Sequence, residues 1–402
     1  MYQIAGNTYG PDDQRLNQAL ASVYGSDRRP LCMCRGTGIE MYVAKLGHQY
    51  IIKRMPHTGA LHAPSCEPHY EPPAELSGLG EVMGGAIQTN LADGVTTLKL
   101  DFALSKNGSR AAPAPSAAEH DTVRTDGKKL TLRGLLHYLY DESGLTRWSP
   151  AMADKRSWWV VRKALLQAAS DKVAKGAAVA DLLYIPESFS LDKKDEITRR
   201  RLAIFNPLAQ ADGSTRKLMM VVGEVKELGD ARFGKKMVLK HLPDAHFFMN
   251  EDLYKRMLKR FEHELALWGG TESSHLLVVG TFGVSGAGVA SLEEASLMLV
   301  NENWLPYESV DEKMLLDALT VQKRRFVKGL RYNLPSTTPL ASAVLSDTTN
   351  PVAMYITSYG SSDEYRKQLH ELMEESTLEA WTWDTANEMS AFPAAEARQG
   401  RK

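Results

Sequence analysis

Leu218-Met219-Met220-Val221-Val222-Gly223-Glu224-Val225-Lys226 is an apolar run without alternation that turns polar at its end. Such a run reads as a strand covered on both faces, whereas a half-exposed strand alternates. His275-Leu-Leu-Val-Val-Gly-Thr-Phe282 repeats the pattern. Between them, Leu253, Met257, Phe261 and Leu265 recur every four residues, which predicts an amphipathic helix over residues 252–268. Residues 202–208 and 218–225 read as a hairpin around Asp212-Gly213, with further strands at 237–242 and 297–300. Gly283-x-x-Gly286-x-Gly288 follows a strand but lacks Gly-Lys-Ser/Thr, so it reads as a turn. Residues 191–306 are therefore expected to form an α/β domain.

Working outward, the same alternation continues over residues 307–381. A helix is predicted at 311–319, strands at 325–332, 343–345 and 352–356, and a helix at 361–378 opened by a Ser361/Glu364 capping box. Residues 382–402 read as a polar, frayed tail. Toward the N-terminus, residues 130–190 are expected to be helical. Leu132, Leu135, Leu136 and Leu139 share one helical face; Trp158, Val161 and Leu165 share another; a third helix begins near Ala177. These three suit either a winged-helix-like module or a plain packing unit. Residues 105–129, rich in Ala, Pro, Ser and Gly, read as a linker, and residues 1–104 as a small β-rich domain. Its strand pairs are expected at 41–44 with 50–53, and at 85–91 with 96–104 around Asp93-Gly94. The fold class is a multidomain α+β or α/β chain.

The chain has 402 residues, 43% hydrophobic and 24% charged, with a formal net charge of -1. That is ordinary globular composition and excludes a polyanion-binding charge spread over the whole molecule. No apolar run reaches membrane-spanning length and the N-terminus has no secretory pattern, so a soluble protein is expected. Three cysteines, an odd number, suit the reducing cytoplasm.

All three cysteines fall in the β-rich domain. Cys32-x-Cys34 and His62-x-x-x-Cys66 offer three thiolates and an imidazole, the donor set of a structural zinc site. His57 and His69 are alternative nitrogen ligands, and three buried free thiols are the competing reading. Glu224-x-Lys226 at a strand end matches the second half of a metal-dependent nuclease signature, with Asp195 or Asp212 as the upstream acid. A solvated strand-end charge pair is the plainer alternative. Residues 193–260 carry 16 Lys and Arg against 9 Asp and Glu. Lys323, Arg324, Arg325, Lys328 and Arg331 lie among Phe326 and Tyr332 with no acid between them, a pattern that grips phosphates and stacks bases. Residues 361–396, with 9 acidic and 2 basic residues, could neutralise that strand within the fold.

Leu31-Cys-Met-Cys34, Met41-Tyr-Val-Ala44, Lys53-Arg-Met-Pro56, His62-Ala-Pro-Ser-Cys66 and Leu76-Ser-Gly-Leu-Gly80 resemble an uncharacterised bacterial family, domain of unknown function 1173. The likeness continues through Gly134-Leu-Leu-His137, Gly223-Glu-Val-Lys226 and Phe326-Val-Lys-Gly-Leu-Arg-Tyr332. It implies association with conjugative and integrative elements and supplies no activity. The C-terminal part, with Glu312 on a helix, Phe326-Val-Lys328, Pro339, Asp347 and Tyr355-Ile-Thr-Ser-Tyr-Gly360, resembles a restriction-endonuclease-type fold. There Thr357 and Tyr359 stand where that fold carries Glu and Lys, which implies a degenerate, non-cleaving unit. The expectation is thus a non-catalytic nucleic-acid-binding accessory protein of a mobile element, with other proteins of that element as further partners; a nuclease using Glu224 and Lys226, or an interaction scaffold, are the alternatives.

Overall fold

Strand Met219–Asp230 is the spine of the fold, seen in a computed structural model that describes residues 1–91, 94–106, 127–209, 216–232, 234–271 and 273–396. Its first half pairs antiparallel with His275–Val284 and its second half with Lys235–Leu239. Lys235–Leu239 turns through Lys240-His241 into Leu242–Met249. That strand meets Ala290–Val300 at the parallel pair Phe248/Ser291, and Ala290–Val300 runs back along His275–Val284. The ladder returns to its start, so these five strands close into a ring. Leu183–Tyr184 and Pro306–Tyr307 extend its edges.

Alternation along the ring strands feeds two cores. Val221, Val225, Leu276, Val278 and Phe282 enter one; Met220, Val222, Leu277, Val279 and Met298 enter the other. This is why the run at 218–225 is apolar on both faces. The second core is covered by helices Leu132–Glu142 and Trp158–Ala169 and by the small sheet Ile87–Thr89, Thr96–Leu98, Lys172–Ala174, Ala177–Ala178. The first core takes in helix Val310–Val321 and continues into a sheet ordered Glu379–Asp384, Val352–Thr357, Ala343–Leu345, Phe326–Lys328, Arg147–Trp148. Helix Asp363–Glu375 packs Leu369 on the other face of that sheet. The expected boundaries near 190 and 306 therefore separate stretches of sequence but not cores.

The N-terminal antiparallel sheet is ordered Asn7–Tyr9, Tyr2–Ile4, Leu31–Cys32, Ile39–Leu46, Gln49–Arg54, with helix Leu16–Val23 on one face. A network of charges, with Lys172 at its buried centre, fastens it to the rest. Lys53 Nζ contacts Asp171 and lies 3.9 Å from Glu142, and Lys172 Nζ sits 2.9 Å from Glu142 and 2.8 Å from Asp171.

Several expectations are corrected. Residues 202–208 are not a strand; they belong to helix Lys194–Phe205 and the turn after it, because Ile197, Arg201 and Phe205 form a buried face at four-residue spacing. The turn Asp212-Gly213 lies outside the described residues, as do Asp93 and most of the 105–129 linker. Near Ala177 there is a strand pair turning at Lys175-Gly176, both with positive φ, and the expected third helix shrinks to one 3-10 turn, Val179–Leu182. That removes the winged-helix reading, and the two remaining helices serve as packing. The helix over 252–268 is two helices, Glu251–Arg260 and Glu262–Gly270, meeting at Phe261. Ser362 rather than Ser361 caps the last helix, its Oγ accepting from Tyr365 N at 3.2 Å. The tail is no frayed segment at its start: Glu379–Asp384 pairs parallel with Val352–Thr357 and buries Trp381 and Trp383. Their indoles donate to Ala391 and Asn387 carbonyls and hold the following residues against the sheet.

Candidate metal centre

Cys32 ends the short strand Leu31–Cys32, and Cys34 lies on the turn that leads into Ile39–Leu46. His62 and Cys66 follow a short helical turn, Gly59–Leu61, on the far side of the hairpin. Arg35 Nε donates to Leu61 O at 2.7 Å and Ala63 N to Cys34 Sγ at 3.4 Å, which fastens one segment to the other. The four donor atoms all lie within 4.8 Å of one another. Cys32 Sγ and Cys66 Sγ are 3.7 Å apart, and Cys34 Sγ and His62 Nδ1 are 3.5 Å apart. All three cysteines are free thiols. Hydrogen bonding from Cys66, opposed by burial and joined by His62, pulls the Cys32 thiol down to about 3. The hydrogen bond to Cys32, with burial, pushes the Cys66 thiol up. Two sulfurs this close, one of them readily deprotonated, are a pair that a cation could hold together.

Of the alternative ligands, His57 is exposed at positive φ. His69 lies tilted beside His62, ring centroids 5.4 Å apart, but its Nε2 is engaged by Tyr2 Oη at 2.8 Å, and burial lowers it to about 4. The four donors that lie together are therefore Cys32, Cys34, His62 and Cys66, a possible metal site.

Glu224 is buried at the middle of the spine strand, and its neighbours are nitrogen bases rather than acids. His275 Nδ1 is 2.7 Å and Lys240 Nζ 2.8 Å from its Oε1, and His241 Nε2 is 3.4 Å from Oε2. Burial alone would raise this carboxyl, but His241, His275 and Lys240 hold it far below the usual range. The His241 ring stacks on Trp158 and the His275 ring on Trp304. Lys226 falls at a β-bulge and points into solvent, so the structure does not bring Glu224 and Lys226 together. Asp195 is exposed on the first turn of its helix, and Asp212 lies outside the described residues. His241 and His275 were not visible as partners of Glu224, because one sits in a turn and the other at the start of a distant strand, and they share no motif.

The basic segment is largely paired with acids of the fold. Arg324 is buried in a two-point pair with Asp347 at 2.7 and 3.1 Å. Lys328 is buried 2.9 Å from Glu312, Arg331 is buried 2.7 Å from Glu308, and Arg325 pairs with Glu67. Lys323 alone of the five is fully exposed. Arg324, Lys328 and Arg331 are thus engaged with acids inside the fold or at its edge, and Arg325 with the exposed Glu67 at the surface. The acids come from residues 67, 308, 312 and 347 and not from the acidic segment at 361–396. In the C-terminal sheet, Leu345 pairs with Val352, which puts Asp347 two residues beyond the start of strand Val352–Thr357, and Thr357 ends that strand.

The quoted motifs meet inside the fold. Gly78 N donates to Leu330 O at 2.8 Å, and a Cβ at Gly78 would stand 2.0 Å from Arg331 O. Tyr332 N donates to His137 Nδ1 at 2.9 Å. Among the described residues no helix is long and apolar enough to cross a membrane. No curated protein and no solved structure matches the chain. A family profile does, over residues 2–386, and it takes in the cysteine cluster, the ring and the C-terminal sheet alike: the chain belongs to the protein family of unknown function DUF1173.

Proposed function

We propose that Cys32, Cys34, His62 and Cys66 hold one structural zinc ion. The donor spacing carries this reading. A tetrahedral zinc with bonds of about 2.3 Å to sulfur and 2.0–2.1 Å to nitrogen sets sulfurs about 3.8 Å apart and sulfur and nitrogen about 3.6 Å apart. The separations here are 3.7 and 3.5 Å. Four protein ligands leave no coordination position for water, so the ion's role is to hold the N-terminal sheet rather than to catalyse. Purified protein is expected to contain about one zinc per chain, and Cys34→Ser to lose it; protein that folds normally and carries no zinc overturns the reading.

In the wider role we read the chain as a non-catalytic nucleic-acid-binding accessory protein. Support comes from helix Glu251–Arg260, where Lys255, Arg256, Lys259 and Arg260 are exposed. Arg260, together with the exposed Lys129 and Lys175, lies close enough to Asp101 to act on its charge. Such a patch suits a phosphate backbone without base readout. Replacing Lys255 and Arg256 by Glu should abolish gel-shift binding to DNA or RNA at low salt, and replacing one phosphate contact by Ala should lower the salt slope by about 0.7–0.9. No binding by the wild type at low salt leaves the scaffold reading in its place.

A further inference from the structure

The C-terminal sheet ends differently on its two sides. Arg147–Trp148 covers the flank of Phe326–Lys328, and Glu379–Asp384 is the last strand at the opposite end. Glu379–Asp384 pairs parallel with Val352–Thr357 over six consecutive residues, without a bulge. Among the described residues, no strand pairs with its outer side. One bond fixes which way its peptide groups point: Thr385 N donates to Thr357 O at 3.0 Å, and Thr357 stands opposite Asp384. Along a strand the N–H and C=O of one residue point to the same side, and the side alternates from residue to residue. Glu379, Trp381, Trp383 and Thr385 therefore turn their peptide groups toward the sheet, and Ala380, Thr382 and Asp384 turn theirs outward. Asp384 O is taken by Asn387 N at 3.0 Å. The outward N–H and C=O of Ala380 and Thr382 have no backbone partner among the described residues.

We infer that this edge receives an extended, basic segment of a partner protein as an added strand. The edge is set before anything binds, because Trp381 and Trp383 are buried on one face and their indoles donate to the carbonyls of Ala391 and Asn387. The chain that follows crosses that face, where Met389 and Phe392 pack on the core and Glu396 N donates to Asp347 O at 2.7 Å, so it leaves the edge clear. The usual devices against strand addition are missing: residues 379–384 hold no Lys, no Pro and no bulge, and the side chains beside the open groups are the small, exposed Ala380 and Thr382. Charge selects the partner. Glu374, Glu375 and Glu379 are exposed where the strand begins, and Glu388 beyond its end. Residues 361–396 hold 9 acidic and 2 basic residues, and both cations are already answered, Arg366 by Asp384 at 3.4 Å and Lys367 by Glu371 at 3.7 Å. Two copies of this edge would bring two acidic surfaces together, which disfavours self-pairing. In strand addition the main chain supplies affinity, and here the acids favour a segment bearing Lys or Arg.

The probe is a fluorescein-labelled octapeptide of alternating lysine and valine, titrated into the full chain at low salt and read by anisotropy. Saturable binding is expected, with slowed hydrogen exchange over residues 379–384. The same peptide methylated on every backbone nitrogen keeps its charge and loses its donors, and should bind at least about tenfold more weakly. A peptide with glutamate in place of lysine should not bind. Thr382→Pro removes an outward N–H and spares the bonds to Val352–Thr357, so it should also weaken binding about tenfold, whereas Thr382→Ala should bind as wild type does. No binding by the wild type overturns the proposal, and so does equal binding of the methylated peptide, which would leave only charge attraction. A wild-type dimer that Thr382→Pro dissociates would give the edge to a second copy and overturn it as well.

Discussion

His137 Nδ1 accepts a hydrogen bond from Tyr332 N deep in the second core, so its ring must be neutral at that nitrogen. Burial, reinforced by the charge of Arg133, lowers it to about 3. The depressed value means the stabilisation is full above the unfolded value near 6.5 and drains away as pH falls from there toward 3. At pH 5 the loss from this one ring amounts to roughly 2 kcal/mol. Asp141, pushed by burial up to about 6, acts in the opposite sense and flattens the wild-type profile. The His137 share is therefore read as a difference: between pH 7 and pH 5, urea unfolding of His137→Asn should lose roughly 2 kcal/mol less than wild type. Parallel profiles would show that the ring takes up its proton without cost. Arg324 tests the interior placement of the basic segment in the same way. Removing it leaves Asp347 as an unpaired buried charge, and Arg324→Ala should cost roughly 3–5 kcal/mol of stability. A folded, fully stable Arg324→Ala protein would put that side chain back in solvent.

At the scale of elements, legibility in the sequence followed the strength of the apolar pattern. The strands around Val221 and Val278 were plain because both faces are buried, so nothing polar interrupts them. Helix Lys194–Phe205 was hidden because its buried face includes a charge: Arg201 is covered and pairs with Asp244 at 3.1 Å, while Leu202 and Ile204 face out. Read by hydrophobicity alone, that segment looks extended. Strand Glu379–Asp384 carries a two-residue period in Trp381 and Trp383, but acids at both ends made it look like tail. The cysteine centre was legible because all four ligands come from two short, local motifs. The surroundings of Glu224 and the acids that pair with residues 324–331 were not, because each partner arrives from a different stretch of chain and pairing across a fold leaves no local signature.

Across the whole molecule, the N-terminal sheet is held by its cysteine cluster within and by the Lys53, Lys172, Asp171 and Glu142 network without, whereas the ring rests on two apolar cores. Chelation should therefore act regionally. Hydrogen exchange after metal removal is expected to accelerate over residues 31–70 while Met219–Asp230 and His275–Val284 keep their protection. Uniform loss across the ring would mean that the sheet and the ring unfold as one unit. The short strand Arg147–Trp148 has a different kind of consequence. It supplies the outer edge of a sheet whose other strands all come from beyond residue 325, pairing Trp148 with Phe326. Without it, the flank of Phe326–Lys328 would be an open row of unpaired amides and carbonyls, a template for pairing with other chains. The C-terminal third is thus not a cassette that recombination could move between proteins, and inheritance of this sheet requires inheritance of the middle of the chain along with it.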